Sequence, residues 1–223
     1  MTEIANLKRR HLLQGMGTLG LLVGSSLLLG ACGKKTPKAS AIASGATVLA
    51  LGDSLTQGVG ASAETAYPSR LAERTGWQVV NAGVSGETTS QIAARLPDLL
   101  EQHKPALVIL CTGGNDWLQR KSAQGVRSET ERMLKLCKSQ ATQVLLVAVP
   151  EFSLGAALTG RMKDHEVYQT LSKAQQVPLL ADAWSQVLSD QSLRADQVHA
   201  NAAGYERFTD LLVAQLQQTG YLA

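Results

Sequence analysis

The stretch that decides the fold is TVLALGDSL, at residues 47–55. Its first five residues are apolar or β-branched and end at Gly52, a pattern typical of a short buried strand. The acidic and hydroxyl side chains of Asp53 and Ser54 follow at once. In open α/β sheets ligands bind at the C-terminal ends of the strands, so this stretch predicts a first strand that delivers reactive groups to such an edge.

Strand-like and helix-like segments alternate along the rest of the chain. Further strands are predicted at 78–81, 107–110, 144–149 and 177–180. Helices are predicted near 68–75, after an N-cap at 88–90, across 126–137, near 164–174 and across 205–216. Pro97 is expected to kink the second of these helices. Alternation of this kind implies a parallel sheet with helices on both faces, so residues 46–223 are predicted to form one three-layer α/β domain.

Polar clusters follow the first three predicted strands. They are Asp53 and Ser54 after the first strand, NAGVSGET at 81–88 after the second, and GGND at 113–116 after the third. A fourth cluster, DQVH at 196–199, precedes the last predicted helix. Because the carboxyl ends of parallel strands meet at one edge of a sheet, the first three clusters are expected to lie close together.

With these four clusters in this order, the chain resembles the GDSL hydrolases, also called SGNH hydrolases after the Ser, Gly, Asn and His of their four blocks. The resemblance covers roughly residues 46–220, and residues 95–116 are most similar to the branch that contains arylesterases and the periplasmic thioesterase and lysophospholipase. It implies a flavodoxin-like α/β/α sandwich with a five-stranded parallel sheet. It also implies an esterase that needs no cofactor.

The resemblance implies Ser54 as the nucleophile, with Asp196 and His199 as the rest of a catalytic triad. A serine hydroxyl needs a base within hydrogen-bond reach, and that base needs a partner that holds its tautomer and stabilises the imidazolium. Asp196 precedes His199 by three residues on one loop, close enough to reach its ring. The other histidines lie in the N-terminal leader or among charged residues on predicted helix surfaces: His11, His103 and His165.

The resemblance also implies an oxyanion hole formed by the backbone N–H groups of Ser54 and Gly86 and the side-chain amide of Asn115. Such donors must already point to the place where the carbonyl oxygen gains charge. A plain turn for Gly86 and a loop cap for Asn115 are the simpler alternatives. Trp117 is predicted either to line the acyl pocket or only to pack. Asp53 is expected to anchor the turn beside the nucleophile and not to carry a proton.

The first 31 residues have the pattern of an export signal. Lys8, Arg9 and Arg10 precede a mostly apolar run over 12–31, and Cys32 follows. The sequence LGAC at its end resembles a bacterial lipobox, which implies that Cys32 is acylated and becomes the mature N-terminus. A transmembrane anchor and a twin-arginine signal remain alternatives. Residues 32–45, small, polar and basic, are predicted to form a flexible tether.

Charge and composition exclude several classes of protein. The chain has 21 Lys and Arg against 18 Asp and Glu, but three of the basic residues and only one acidic residue lie in the leader. Three more lysines lie in the predicted tether, so no basic domain remains for nucleic acid. No Walker loop, His-x-x-x-His pair or Cys-x-x-Cys is present, so no nucleotide or metal is predicted. Cys111 and Cys137 could pair in an exported protein, but their apolar settings favour buried free thiols.

These patterns together predict a monomeric, lipid-anchored serine esterase that faces the periplasm. Its substrates would be carboxylic esters or thioesters of small molecules or lipids, attacked through an acyl-enzyme on Ser54. Two alternatives remain open from the sequence: an O-acetylesterase that acts on envelope polysaccharide, and a catalytically silent envelope lipoprotein.

Overall fold

A computed structural model describes residues 40–151, 156 and 160–223. The predictions made for the leader, for Cys32 and for the first part of the tether lie outside these residues. Across the described part of the chain, no helix combines the length and the apolar character needed to cross a membrane.

Five parallel strands form one sheet in the order β2-β1-β3-β4-β5. Their bounds are β1 Thr47–Gly52, β2 Gln78–Gly83, β3 Leu107–Cys111, β4 Gln143–Val147 and β5 Leu179–Leu180. This is the flavodoxin-like strand order, in which the chain reverses direction across the sheet between β1 and β3. The predicted fold is therefore confirmed, and each predicted strand is present with shifted ends.

Helices lie on both faces of the sheet. Their bounds are α1 Ser54–Gln57, α2 Tyr67–Thr75, α3 Thr89–His103, α4 Gly114–Leu118, α5 Ala123–Ser139, α6 Val167–Gln175, α7 Ala183–Ser189 and α8 Ala202–Thr219. The helix α5 packs between α3 and α6, whereas α8 packs against α2 and α7. With both faces covered, every residue of β3 is buried.

Local sequence signals explain where the longest helices begin and end. Thr88 caps α3 through a capping box with Gln91, one of the arrangements predicted from the sequence. The helix α8 ends at Gly220, which adopts the left-handed conformation that favours glycine. Pro97 does not end α3, which continues to His103 with one backbone donor fewer.

An aromatic cluster fills the space between α2, α7 and α8. Trp184 stacks on Phe208 with ring centroids 3.8 Å apart, and Tyr67 meets Phe208 edge-on at 5.0 Å. The helix α7, which carries Trp184, is not predicted from the sequence because it has only seven residues, too few for a clear periodic pattern.

The described part of the predicted tether contacts the domain. Ile42 is buried, and its N–H donates a hydrogen bond to the Tyr221 carbonyl at 2.8 Å. Gly45 donates to the Gly76 carbonyl at 3.0 Å. The packed part of the domain therefore begins before residue 46, because the side chain of Ile42 is buried in the core.

The two cysteines of the domain are free and buried, which confirms the interpretation that they do not pair. Burial raises the pKa of the Cys137 thiol to about 12 and that of Cys111 well above its usual value. Both are therefore protonated at neutral pH and act as small apolar side chains.

Candidate active site

Ser54 lies where β1 turns into α1, at the carboxyl edge of the sheet. Its Oγ is 3.0 Å from Nε2 of His199, and Nδ1 of His199 is 2.7 Å from Oδ2 of Asp196. These distances are those of hydrogen bonds. The structure thus brings together in one chain of contacts the three residues that the sequence analysis put forward as a triad.

Asp196 is held by its own loop. Its second oxygen, Oδ1, accepts hydrogen bonds from the backbone N–H groups of Val198 and His199, both at 2.8 Å. Partial burial would raise the pKa of Asp196, but the hydrogen bonds from the His199 ring and these two N–H groups outweigh it. The pKa of Asp196 is therefore below its ordinary value. The carboxylate is ionised at neutral pH and can orient the imidazole.

The turn that presents Ser54 is tightly packed. Asp53 is buried, and its Oδ1 accepts a hydrogen bond from the Leu55 N–H at 3.0 Å, which caps α1. A Cβ on Gly52 would lie under 3.0 Å from the carbonyl oxygen of Cys111. Burial raises the pKa of Asp53 to about 6, against the lowering effect of its hydrogen bonds. These contacts fit the predicted anchoring role of Asp53.

Gly86 and Asn115 lie on neighbouring turns. Gly86 has a φ of +84°, the left-handed region that glycine adopts without strain, and a Cβ there would meet open space. Its conformation, more than crowding, therefore explains the glycine. Asn115 lies in the first turn of α4, and its Nδ2 donates a hydrogen bond to the Glu87 carbonyl at 2.9 Å. One amide hydrogen is thus occupied, and the second is left for another acceptor.

The four clusters meet around a pocket of about 110 Å³. Its lining includes Ser54, Gly86, Asn115 and His199. The remaining lining residues are Asp53, Leu55, Ser85, Gly114, Leu118 and Val198. An attacked carbonyl in this pocket would have a hydroxyl, a base and the three candidate oxyanion donors on its walls.

Trp117 is not among the residues that line this pocket. Its indole is buried, stacks on the His165 ring at a centroid distance of 4.2 Å and donates to the Tyr168 hydroxyl at 3.3 Å. This placement favours the packing alternative, and a substrate contact of Trp117 stays a prediction.

His165 was expected on a helix surface, but it precedes α6, and its Nδ1 accepts a hydrogen bond from the Val167 N–H at 3.1 Å.

Leu118 is the pocket residue that sequence reasoning missed. It is 48% exposed, and in the described part of the chain it and Val84 are the two large apolar side chains that are exposed. A signal was available, because Leu118 follows Asn115 by three residues and would share its face on a helix. No helix is predicted there, because α4 has only five residues and leaves no periodic pattern.

The described residues contain no group of three or more His, Cys, Asp and Glu side chains arranged to hold a metal ion. The groups that line the pocket are the Ser54 hydroxyl, the His199 imidazole and the three candidate donors to an oxyanion.

The sequence is similar to known proteins of one family. The profile of the GDSL-like Lipase/Acylhydrolase family matches residues 50–207. Over 178 residues the chain is 35% identical to thioesterase 1/protease 1/lysophospholipase L1 of Escherichia coli (strain K12), which covers 77% of this chain and 83% of the relative. Over 143 residues it is 32% identical to an arylesterase of Vibrio mimicus, covering 60% of this chain and 68% of that protein.

Solved structures share the architecture. A crystal structure of TesA superposes with a TM-score of 0.69 at 26% identity and covers 78% of this chain and 99% of the other. The psychrotrophic esterase EstA from Pseudoalteromonas sp., inhibited by monoethylphosphonate, gives a TM-score of 0.67 at 22% identity, over 77% of this chain and 97% of the other. The second likeness shows the fold alone.

Proposed function

Since the chain belongs to the GDSL-like lipase/acylhydrolase family and is an ester hydrolase of the GDSL type, we propose that Ser54, His199 and Asp196 perform its reaction. The observation that carries this proposal is the unbroken line of hydrogen bonds from Ser54 Oγ through His199 to Asp196. A serine hydroxyl in this setting becomes a nucleophile because a base removes its proton as it attacks.

The proposed reaction runs in two halves. Ser54 Oγ attacks the acyl carbonyl while Nε2 of His199 takes its proton, and Asp196 stabilises the imidazolium through Nδ1. His199 then gives the proton to the leaving alcohol or thiol, which departs and leaves an acyl-enzyme on Ser54. Water, activated by His199 in turn, releases the carboxylic acid and restores the hydroxyl.

The oxyanion of each tetrahedral intermediate needs hydrogen-bond donors that are already in place. We assign this role to the backbone N–H groups of Ser54 and Gly86 and to Nδ2 of Asn115. The support is that these residues line the same pocket and that the Glu87 carbonyl holds the Asn115 amide in one orientation.

The size of the pocket bears on the substrate. About 110 Å³ is well below the roughly 300–1,000 Å³ of pockets that enclose drug-sized ligands. A short acyl group therefore fits inside, whereas a long chain would extend over the exposed side chain of Leu118. Carboxylic esters and thioesters with short acyl groups are the substrates that this pocket favours, and lysophospholipids would bind with most of the chain outside.

A panel of substrates tests this proposal. We expect wild type to hydrolyse p-nitrophenyl acetate and butyrate with a higher kcat/KM than the palmitate ester or palmitoyl-CoA, and Ser54→Ala to be inactive on all of them. Acetylated polysaccharide belongs in the panel, because a small pocket also suits an O-acetylesterase. Failure of a fluorophosphonate to label Ser54 would instead favour the catalytically silent lipoprotein.

The proposal extends to the location of the enzyme. The leader at 1–31 and the LGAC sequence that ends at Cys32 support export, acylation of Cys32 and anchoring to the cell envelope on the periplasmic side. The residues between Cys32 and the buried Ile42 would then link the anchor to a monomeric hydrolase domain. Mass spectrometry of the mature protein tests this point, since an unacylated N-terminus upstream of Cys32 would contradict it and would favour a transmembrane anchor.

A further inference from the structure

Asp116 follows Asn115 in α4, and its carboxylate reaches the first residue of α3. Its Oδ2 accepts hydrogen bonds from the Thr89 backbone N–H at 2.7 Å and from the Thr89 hydroxyl at 2.9 Å. The Thr112 hydroxyl donates to Thr89 Oγ1 at 3.1 Å. All three residues are buried, so this cluster joins two strand-to-helix turns inside the protein.

A second hydrogen bond joins the same two turns. It runs from Nδ2 of Asn115 to the carbonyl of Glu87 at 2.9 Å. The adjacent residues Asn115 and Asp116 of α4 are thus hydrogen-bonded to Glu87 and Thr89. These two partners follow Gly86 closely along the chain. Gly86 and Asn115 are the two proposed oxyanion donors outside α1, so these bonds connect the two segments that carry them.

We propose that Asp116 is a positioning residue that holds the Gly86 turn and the Asn115 turn at the separation that an oxyanion requires. This inference rests on the proposed function. Oxyanion donors act only within about 2.7–3.1 Å of the developing charge, and a displacement of about 1 Å costs roughly 100-fold in rate. A carboxylate suits the task because its charged oxygen forms short hydrogen bonds and faces the positive N-terminal end of α3.

The chain offers a matched control for a purely structural role. Asp164 also accepts one backbone N–H and one hydroxyl at a helix start, from Asp182 at 2.6 Å and from Ser185. It does not line the pocket around Ser54. Asp164→Ala should therefore lower stability while leaving kcat near the wild-type value.

The test measures kcat and KM for p-nitrophenyl acetate, together with urea unfolding, in Asp116→Ala, Asp116→Asn, Asn115→Ala and the double alanine variant. Asp116→Ala should lower kcat roughly 10- to 100-fold with KM changed by less than about threefold. Asp116→Asn should regain most of the activity, because its amide oxygen can accept both hydrogen bonds from Thr89. In the Asn115→Ala background the same Asp116→Ala change should cost much less, because the donor that Asp116 positions is absent.

The inference is overturned if kcat of Asp116→Ala stays within about twofold of wild type, or if the two alanine effects multiply in full. It is also overturned if Asp164→Ala loses as much kcat at equal stability.

If Asp116→Ala does not fold, Thr89→Val replaces it. This variant lacks the hydrogen bond from the hydroxyl and should lose roughly 3- to 10-fold in kcat; an unchanged kcat would contradict the inference. Full activity of Asn115→Ala would count against the proposed function itself, whereas an inactive Asn115→Ala beside an active Asp116→Ala would count only against this inference.

Discussion

The loop that carries His199 and the turn that carries Asn115 reach the same pocket but are held in different ways. The bonds of Asp196 all stay within residues 196–199, and its side chain is 54% exposed. The Asn115 turn is held by partners far along the chain, since the Tyr168 hydroxyl donates to the Thr112 carbonyl at 2.6 Å. The group that moves a proton is thus placed by local bonds, and the group that stabilises charge is placed by the tertiary structure.

The largest loss of activity is expected in the loop that carries His199. His199→Ala removes the only base bonded to Ser54 in the described part of the chain, so kcat should fall by roughly 10⁴-fold or more with the fold intact. Steady-state hydrolysis of p-nitrophenyl acetate and a circular dichroism spectrum check this. His103→Ala, at the far end of α3, is the matched control and should retain wild-type kcat.

The second-largest loss of activity is expected at the turn that carries Asn115. Asn115→Ala should lower kcat by roughly 10²- to 10³-fold, because one donor to the oxyanion is lost while the nucleophile and base remain. KM should change little, since a ground-state carbonyl needs this donor less than the tetrahedral intermediate does. Turnover near the wild-type level would show that Asn115 only holds the Glu87 carbonyl.

One substitution made in both regions compares them directly. Gly60 and Gly113 have φ values of +94° and +110°, and an added Cβ would lie under 3.0 Å from the Ala200 carbonyl or the Tyr168 hydroxyl. Gly60→Ala pushes on the loop of His199, and Gly113→Ala pushes on the turn of Asn115. Each should lose about 1–3 kcal/mol of unfolding free energy from strain.

Their kinetics should differ. Gly113→Ala should lower kcat roughly tenfold or more. The turn is buried and held by distant partners, so the Asn115 donor, once displaced, cannot relax back to its position. Gly60→Ala should lower kcat less than Gly113→Ala does. The exposed loop that carries His199 can shift while the hydrogen bond between Asp196 and His199 is kept. Equal losses of kcat at equal losses of stability would remove the distinction between the two regions.

The smallest effect on activity is expected at Asp53, which caps α1 beside Ser54. Its pKa of about 6 lies above the ordinary 3.8, so the folded protein keeps a proton that the unfolded chain releases. Stability should therefore fall as the pH rises from about 4 to about 6, by at most about 3 kcal/mol. Asp53→Asn should flatten this dependence in urea unfolding at pH 4 and pH 7 and leave kcat near wild type. Asp98→Asn, on the exposed surface of α3, should keep the wild-type slope.

The sequence predicted most of the framework because its signals are local. The apolar runs of β1 and β3, the capping residues of α3 and the DQVH cluster at 196–199 each lie within a few residues. The positions of Ser54 and His199 relative to each other followed from the resemblance to a family and not from periodicity, since 145 residues separate them.

What could not be predicted depends on contacts between distant segments. The hydrogen bond from Tyr168 to Thr112 spans 56 residues, and the one from Thr89 to Asp116 spans 27. The short helices α4 and α7 leave no periodic pattern, so Leu118 and Trp184 were not identified. The burial of Ile42 could not be predicted either, because a run of small and polar residues is typical of a linker and one apolar side chain within it forms no pattern.

The hydrogen bond between Ile42 and Tyr221 brings the two ends of the described domain together. Joining them with a short peptide and opening the chain at an exposed loop elsewhere would give a circular permutant with the same strand neighbours. In such a permutant the sequence order of Ser54, Asn115 and His199 could be rotated without changing which of them meet. The pocket therefore requires that the sheet bring these blocks to one edge, and it places no demand on their order along the chain.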